Sequence, residues 1–157
     1  MPLQVESVWD YPRPPKLEPV SERLVVTAFD LILADTVAGF RILETSHPPT
    51  YYLPQSDTAF DHLVESGHTS YCEFKGRATY YSISVEDRRI ENAAWCYPEP
   101  APPYSPITGF LSFYASHDVF CQVGGEPVIP QPGDFYGGWI TRNLRGPFKG
   151  GPGTRFW

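Results

Sequence analysis

Eighteen prolines spread along a 157-residue chain place the strongest limit on what this sequence can fold into. Each proline fixes its own φ angle and removes a backbone donor, so the prolines interrupt long helices. Aromatic residues make up 15% of the chain and favour β-structure, because large rings pack well on a pleated sheet. The length suits one domain with one sizeable core. We therefore expect a single, mainly β domain over residues 1–157.

The density of proline and glycine divides the chain into three regions. Residues 1–22 predict an extended, proline-rich arm that Trp9 and Tyr11 anchor by burying their rings. Residues 23–129 predict a β core, because β-branched and aromatic stretches alternate there with turn-forming residues. Residues 130–157 contain too much glycine and proline for regular structure but carry several large rings, which disordered segments rarely do. We expect this last region to form an irregular, aromatic-rich wrap around the core.

Local signals within the core region predict its elements. Leu24–Ala28 and Leu31–Asp35 are aliphatic stretches separated by two residues, which predicts a β-hairpin. Later stretches of the same kind predict an antiparallel meander, and Gly124-Gly125 suits a tight turn because glycine tolerates positive φ at both positions. Apolar residues at positions i, i+3 and i+4 from Phe60 predict one short helix near residues 56–66.

Charge and cysteine content exclude several classes of protein. The net charge of −6 argues against nucleic-acid binding, which normally requires a basic surface. No stretch approaches the roughly 20 apolar residues of a membrane span, and the first residues lack the apolar segment of a signal peptide. Cys72, Cys96 and Cys121 are odd in number and form no CxxC pair, which predicts reduced thiols. We therefore expect a cytoplasmic protein with no metal, cofactor, membrane or nucleic-acid partner.

Several strings of the sequence form a recognisable set. They are Val8–Pro15, Leu43–Pro54, Cys72–Tyr81, Ala94–Pro100, Phe113–Tyr114 and Gly137–Thr154. Together they resemble the family catalogued as domain of unknown function 427, over nearly the whole chain. The resemblance implies a β-tent-like, antiparallel two-sheet fold related to methionine sulfoxide reductase B and the ligand-binding domain of cereblon. It implies no established activity, although the family is sometimes labelled nucleotidyltransferase-like.

An aromatic pocket is the first functional hypothesis. We predict that it binds a small organic ligand, with Glu44 and Lys75 as its one acid and its one lysine. Its aromatic residues are Tyr52, Tyr81, Trp95, Tyr97 and Tyr114. Alternate residues of a strand share a face, so Trp95 and Tyr97 should point to the same side. A concave aromatic site with a few polar groups is the usual form of a small-molecule site. The competing interpretation is that these rings are core residues and that Lys75 pairs with Glu44 or reaches solvent.

Two further hypotheses stay open. The first is an enzyme that acts on a small metabolite through Lys75 or Cys72, with nucleotidyl transfer as one variant. A neighbouring cation would lower the pKa of a thiol, but residues three apart lie on opposite faces of a regular strand. Nucleotidyl transfer also requires closely spaced carboxylates for metal ions, and no such pattern is visible. The second hypothesis is a protein-interaction or homodimerisation module that uses the wrap from Phe135 to Trp157.

Overall fold

The structure is a computed structural model that describes residues 3–133 and 136–157, and it has a mainly β fold. Its strands are β1 Glu6–Ser7, β2 Lys16–Val20, β3 Leu24–Ala28, β4 Leu31–Thr36, β5 Gly39–Leu43, β6 Thr50–Tyr52, β7 Leu63–Cys72, β8 Gly76–Val85, β9 Arg88–Cys96, β10 Ser112–Phe113, β11 Phe120–Val123, β12 Glu126–Pro127, β13 Ile129–Pro130, β14 Trp139–Ile140 and β15 Leu144–Arg145. Short 3-10 helices span Val8–Asp10, Gln55–Asp57, Phe60–His62 and Pro102–Ile107. The mainly β prediction is confirmed.

Two four-stranded sheets and one three-stranded sheet contain most of these strands. Their orders are β12-β11-β3-β4, β10-β9-β8-β7 and β2-β5-β6, and strands β1 with β15 and β13 with β14 form separate pairs. The pairing within the three sheets is antiparallel. The predicted meander is confirmed for β7 to β10, whereas β11 leaves it and pairs with β3.

Both tight turns predicted from local sequence are confirmed. Strands β3 and β4 form the expected hairpin, and the two residues between them, Phe29 and Asp30, have φ angles of 52° and 63°. Gly124 and Gly125 join β11 to β12 with φ angles of 56° and 83°. Positive φ at both central residues matches the right-handed twist of the strands that such turns connect.

The prediction of a helix near residues 56–66 is wrong in extent. Gln55–Asp57 and Phe60–His62 are single 3-10 turns, and strand β7 begins at Leu63. Leu63 is buried while Val64 is 42% exposed, which is the alternation of a strand rather than of a helix. Pairing with β8 therefore overrides the local helical spacing. No helix in the described part of the chain is both long and apolar enough to cross a membrane.

Within the predicted arm, residues 3–22 form more regular structure than expected. Strand β2 pairs along its whole length with β5, and Pro19 is tolerated because β2 lies at the edge of its sheet. Val8–Asp10 forms one 3-10 turn, in which the backbone N–H of Trp9 donates to the hydroxyl of Ser7. The prolines of residues 3–22 all follow this turn and therefore do not prevent it.

Both predicted anchors of the N-terminal segment make specific contacts. The hydroxyl of Tyr11, which is buried, donates to Glu6 Oε1 over 2.6 Å. Trp9 stays 41% exposed, but its Nε1 donates to the carbonyl of Pro147 over 2.7 Å. The N-terminal segment is thus held against the C-terminal one.

The sheet β10-β9-β8-β7 packs against a core on each of its two faces at β8 and the second half of β9, and this placement positions the candidate site. Along β9, Ala94 and Cys96 belong to a core shared with the sheet β12-β11-β3-β4. Trp95 and Tyr97 point to the other side, as predicted, and belong to a second core shared with β5 and β6. Large rings are therefore concentrated on one face of this sheet.

The C-terminal segment packs on its own chain. Trp139 is completely buried, stacks on Tyr51 with ring centroids 5.0 Å apart, and donates from Nε1 to the carbonyl of Phe113 over 2.8 Å. The prediction of an irregular, aromatic-rich segment is confirmed for the described residues, although Trp139 reaches the interior rather than a surface groove. Phe135, where the predicted interaction module begins, lies outside the described residues.

Candidate functional site

A cleft of about 260 Å³ opens beside the second core. Four parts of the chain form it: the β7–β8 hairpin, the segment from the end of β5 to β6, the ends of β9 and β10, and the C-terminal segment. Of the residues predicted for the pocket, those that line the cleft are Glu44, Lys75, Trp95, Tyr97 and Tyr114, and the candidate nucleophile Cys72 lines it as well. Residues more than 60 positions apart in sequence therefore converge on one space.

The aromatic wall of the cleft is a set of rings in mutual contact. The centroid of the Trp95 ring lies 4.7 Å from that of Tyr114 and 6.3 Å from that of Tyr52. The Tyr52 and Tyr97 centroids are 6.2 Å apart. These distances are typical of favourable aromatic pairs. Trp95 and Tyr97 are each 5% exposed, so most of each ring is core and one edge borders the cleft.

Two predicted tyrosines do not line the cleft. Tyr52 is completely buried behind Trp95 and supports the wall from within. Tyr81 lies on the opposite face of β8, where its ring packs edge-on against Phe60 at 5.5 Å. Its neighbour Tyr80, which the sequence analysis did not select, points into the cleft instead. Of the two adjacent tyrosines on β8, the wrong one was therefore selected from the sequence.

Lys75 is the buried charged group of the cleft. It lies in the turn between β7 and β8, where its carbonyl accepts from the N–H of Ala101 over 2.9 Å, and it is only 9% exposed. Among the described residues, no carboxylate lies within 4.0 Å of its Nζ, so the alternative of an ion pair with Glu44 is not formed. The Lys75 side chain stays largely buried and lines the cleft. A buried ammonium group without a contacting acid is unusual in a folded protein.

The environment of Lys75 keeps it positively charged. Burial by itself lowers the pKa of its ammonium group, but electrostatic interactions with Tyr52, Cys72 and Glu44 raise this pKa by more. The net pKa lies above the ordinary lysine value, so the group is a cation at neutral pH. A protonated amine is a hydrogen-bond donor and an electrostatic partner rather than a nucleophile.

Glu44 is occupied by other partners. Its Oε2 lies 3.4 Å from Arg13 Nη2 and 3.6 Å from His47 Nε2. Arg13 belongs to the N-terminal segment, so this acid is compensated by a cation that does not line the cleft. The positive charge of Lys75 therefore has no equally close counterpart.

His47, which the sequence analysis left outside its site, also lines the cleft. Its pKa is lowered to about 3 by burial and then by the nearby charges of Lys149, Lys75 and Arg13. The carboxylate of Glu44 opposes this shift, but Glu44 is already paired with Arg13, and the burial of the ring outweighs the remaining attraction. The imidazole is neutral at physiological pH and packs edge-on against the Tyr136 ring at 5.0 Å.

Cys72 lies in the same cleft as Lys75, and the prediction that they point to opposite faces is wrong. Strand β7 ends at Cys72, and residues 73–75 form the hairpin turn, so strand alternation does not apply between them. The thiol is half-buried and Cys96 and Cys121 are buried; all three are unpaired. The cleft therefore combines one accessible thiol with one buried cation.

The C-terminal segment closes one side of the cleft through close backbone approach. A Cβ atom on Gly137 would lie 2.3 Å from Trp95 Cη2 and 3.2 Å from Tyr114 Cε1, so only glycine fits against these rings. The Gln131 side chain fixes the segment, because it donates to the carbonyl of Lys149 over 2.7 Å and accepts from the N–H of Gly138 over 2.9 Å. The Gly-Gly pair before Trp139 was the sequence signal for this contact.

Residues 16–124 match the family model described as Domain of unknown function (DUF427). The chain belongs to the DUF427 family. The matched range spans more than half of the chain and contains every residue of the predicted pocket. The family resemblance is thereby confirmed for this range, whereas the strings Val8–Pro15 and Gly137–Thr154 lie outside it. No curated protein matches the chain significantly.

The DUF427 description leaves the activity of the domain open. Within residues 3–133 and 136–157, no three His, Cys, Asp or Glu side chains are grouped so that they could hold a metal ion. A second cleft of about 420 Å³ adjoins the first and shares Tyr80, Tyr114 and Gly137 with it, and His68, Glu91 and Asn92 add polar groups to its lining. The rings of Tyr80 and Tyr114 therefore border both clefts.

Proposed function

We propose that this DUF427 domain binds a small organic molecule in the cleft beside Trp95. One observation carries the proposal: the buried ammonium group of Lys75 shares an open space of about 260 Å³ with the exposed edges of several aromatic rings. Binding sites for small molecules are typically concave, largely apolar and supplied with a few polar groups. Their volumes begin at about 300 Å³, so the ligand should be small.

The lining residues would make different contributions to ligand binding. Trp95, Tyr80 and Tyr97 would supply flat contact surface, and Tyr52 would hold Trp95 in place from behind. Lys75 would fix the orientation of a polar group of the ligand. Glu44 would act mainly through the partners that it holds at the edge of the cleft, since its carboxylate is already engaged by Arg13.

A competing candidate is an enzyme whose nucleophile is Cys72, because this half-buried thiol lines the same cleft. The relation to methionine sulfoxide reductase B that the sequence strings suggest would fit redox chemistry at this position. Among the described residues, the thiol has no hydrogen bond to His47, and the protonated state of Lys75 favours a binding role over amine catalysis. Rapid labelling of Cys72 by iodoacetamide at neutral pH, compared with an unfolded reference, would support the enzyme instead.

The proposal is tested by screening small aromatic fragments against the protein by thermal shift and by NMR. The expected result is that several fragments raise Tm and shift the amide signals of Lys75 and Trp95. In Cys72→Phe, the new ring should occupy the cleft and abolish these effects. Val64→Phe is the matched control, because it places the same side chain at an exposed position of the same strand.

Two results would contradict the proposal. The first is a complete absence of binding by a diverse fragment set at millimolar concentration. The second is binding that shifts amide signals elsewhere on the protein while those around Lys75 and Trp95 stay in place. The NMR mapping uses the unmodified chain, so the test remains decisive even if Cys72→Phe fails to fold.

A further inference from the structure

The acid Glu44 at the cleft has a contacting cation, whereas the lysine Lys75 has no contacting anion. Glu44 is held by Arg13 at 3.4 Å, and Glu73 is exposed at the tip of the β7–β8 hairpin. His47 is neutral and adds no charge. Lys75 is buried, and its Nζ has no hydrogen bond or ion pair with any described residue within the usual distances. The deepest charge of the cleft is therefore a cation without a contacting anion.

A second lysine lies on the opposite side of the cleft but is already engaged. The Nζ of Lys149 donates to the carbonyl of Trp157 over 3.3 Å and lies 5.4 Å from the centroid of the Tyr136 ring. This lysine reinforces the positive potential of the cleft without filling the space in front of Lys75. An anion entering the cleft would meet Lys75 as its principal partner.

We propose that the ligand of this cleft is a small aromatic carboxylate, with its carboxylate on the Lys75 ammonium group and its ring against Trp95. This inference rests on the proposed function and narrows it to one chemical class. Lysine carries three N–H donors and no acceptor, so an oxygen anion satisfies it best. The ring edges of Trp95 and Tyr80 that border the cleft favour a flat, apolar body for the remainder of the ligand.

The composition of the cleft favours a carboxylate over a phosphate. Phosphate sites usually combine arginine side chains or several convergent backbone N–H groups with the cation. The described lining contains no arginine, and its buried cation is a single ammonium group on a hairpin turn. One ammonium group matches the single negative charge of a carboxylate, whereas a phosphate dianion would leave charge uncompensated in a partly apolar space.

The test compares four probes of similar shape: benzoate, benzamide, benzylamine and phenyl phosphate. Each is titrated at constant ionic strength into the unmodified protein, Lys75→Met and Lys16→Met, with NMR shifts of the Trp95 region as the readout. Lys16 is exposed and does not line the cleft, and its strand partner Leu43 packs with Val8 and Tyr11 in a separate core, so Lys16→Met controls for the loss of one positive charge. We expect benzoate to bind about tenfold or more tightly than benzamide, and this preference to disappear only in Lys75→Met.

The Tm of Lys75→Met measured without ligand shows whether Lys75 serves ligand binding or instead stabilises the fold. Because no carboxylate contacts the Nζ of Lys75, Lys75→Met leaves no acid unpaired, and it should lower Tm by no more than about 3 °C. A clear fall in Tm would show that Lys75 stabilises the fold through partners within the chain, and it would overturn the inference.

The remaining outcomes are distinguishable. Equal or tighter binding of benzamide or benzylamine would overturn the carboxylate assignment and leave the proposed function intact. Tighter binding of phenyl phosphate that depends on Lys75 would replace the carboxylate by a phosphate. Failure of all four probes would overturn the carboxylate inference, and only failure of the whole fragment set would overturn the binding proposal as well.

Discussion

Gly137→Ala should destabilise the protein strongly, because the backbone of Gly137 lies directly on the Trp95 ring. The new Cβ would be 2.3 Å from Cη2 and 2.5 Å from Cζ3 of that ring, whereas carbon atoms normally approach to about 3.5–4.0 Å. An overlap of more than about 1 Å must be relieved by moving either the ring or the chain. Trp95 is 5% exposed and contacts Tyr52 and Tyr114, so its ring has little room to move.

The expected cost follows from this geometry. Overpacking a well-ordered core typically costs about 1–3 kcal/mol, and the short distances place Gly137→Ala at about 2–3 kcal/mol. For a chain of this length, that loss corresponds to a fall in Tm of roughly 5–10 °C. Gly151→Ala is the matched control: its Cβ would meet only Pro132 Cβ, at 4.0 Å, and its φ is not in the left-handed region. The control should stay within about 0.5 kcal/mol of the unmodified protein.

Urea denaturation followed by far-UV circular dichroism measures both variants on the same scale. A double-mutant cycle with Trp95→Phe locates the cause, because phenylalanine lacks the outer indole atoms that the new Cβ would overlap. The two substitutions should be coupled by about 1 kcal/mol or more in the direction of rescue. Equal stability of Gly137→Ala and Gly151→Ala, or strictly additive effects with Trp95→Phe, would refute the reasoning.

Two further predictions concern charge. The pKa of His47 is lower in the folded state, about 3, than its unfolded value of about 6.5, so its neutral ring contributes stability that is fully present above pH 6.5 and lost as pH falls towards 3. Between pH 6 and 4.5, urea denaturation should show the unmodified protein losing about 2 kcal/mol more than His47→Gln, and parallel losses would contradict this assignment. Arg41 is 17% exposed and donates to both Glu6 and Glu18, so Arg41→Met should cost about 2–3 kcal/mol at pH 7. Arg142→Met, which removes an 82% exposed partner of Glu126, should cost less than about 1 kcal/mol in the same assay, and similar losses in the two variants would show that burial is not the deciding factor.

The elements that could be predicted from sequence are those whose signals are local. The β3–β4 hairpin and the Gly124-Gly125 turn depend on the conformations of two adjacent residues, and both were predicted correctly. The stretch after Phe60 carries an equally local signal, yet it forms strand β7. Its hydrogen bonds with β8 involve residues about twenty positions away, and this long-range pairing outweighs the spacing of three apolar side chains.

Only part of the candidate site could be predicted from the sequence, again because some of its features are local and others depend on distant segments. Alternation along β9 correctly placed Trp95 and Tyr97 together, because a strand imposes that relation by itself. On β8, alternation also separates Tyr80 from Tyr81, but it does not say which of the two faces the cleft. Since both faces of β8 pack against a core, neither tyrosine is marked as the exposed one, and the choice between them rests on the neighbouring sheets.

The amino-acid sequence by itself determined the β class of this DUF427 domain, its tight turns and the set of aromatic residues available for a cleft. Only the tertiary structure decided that Lys75 is buried without an acid, since Arg13 comes from a distant segment to occupy Glu44. It likewise decided that Gly137 closes the cleft against Trp95. Backbone conformations depend on neighbouring residues, whereas the pairing of a charge and the shape of a cavity depend on segments that meet only after the chain has folded.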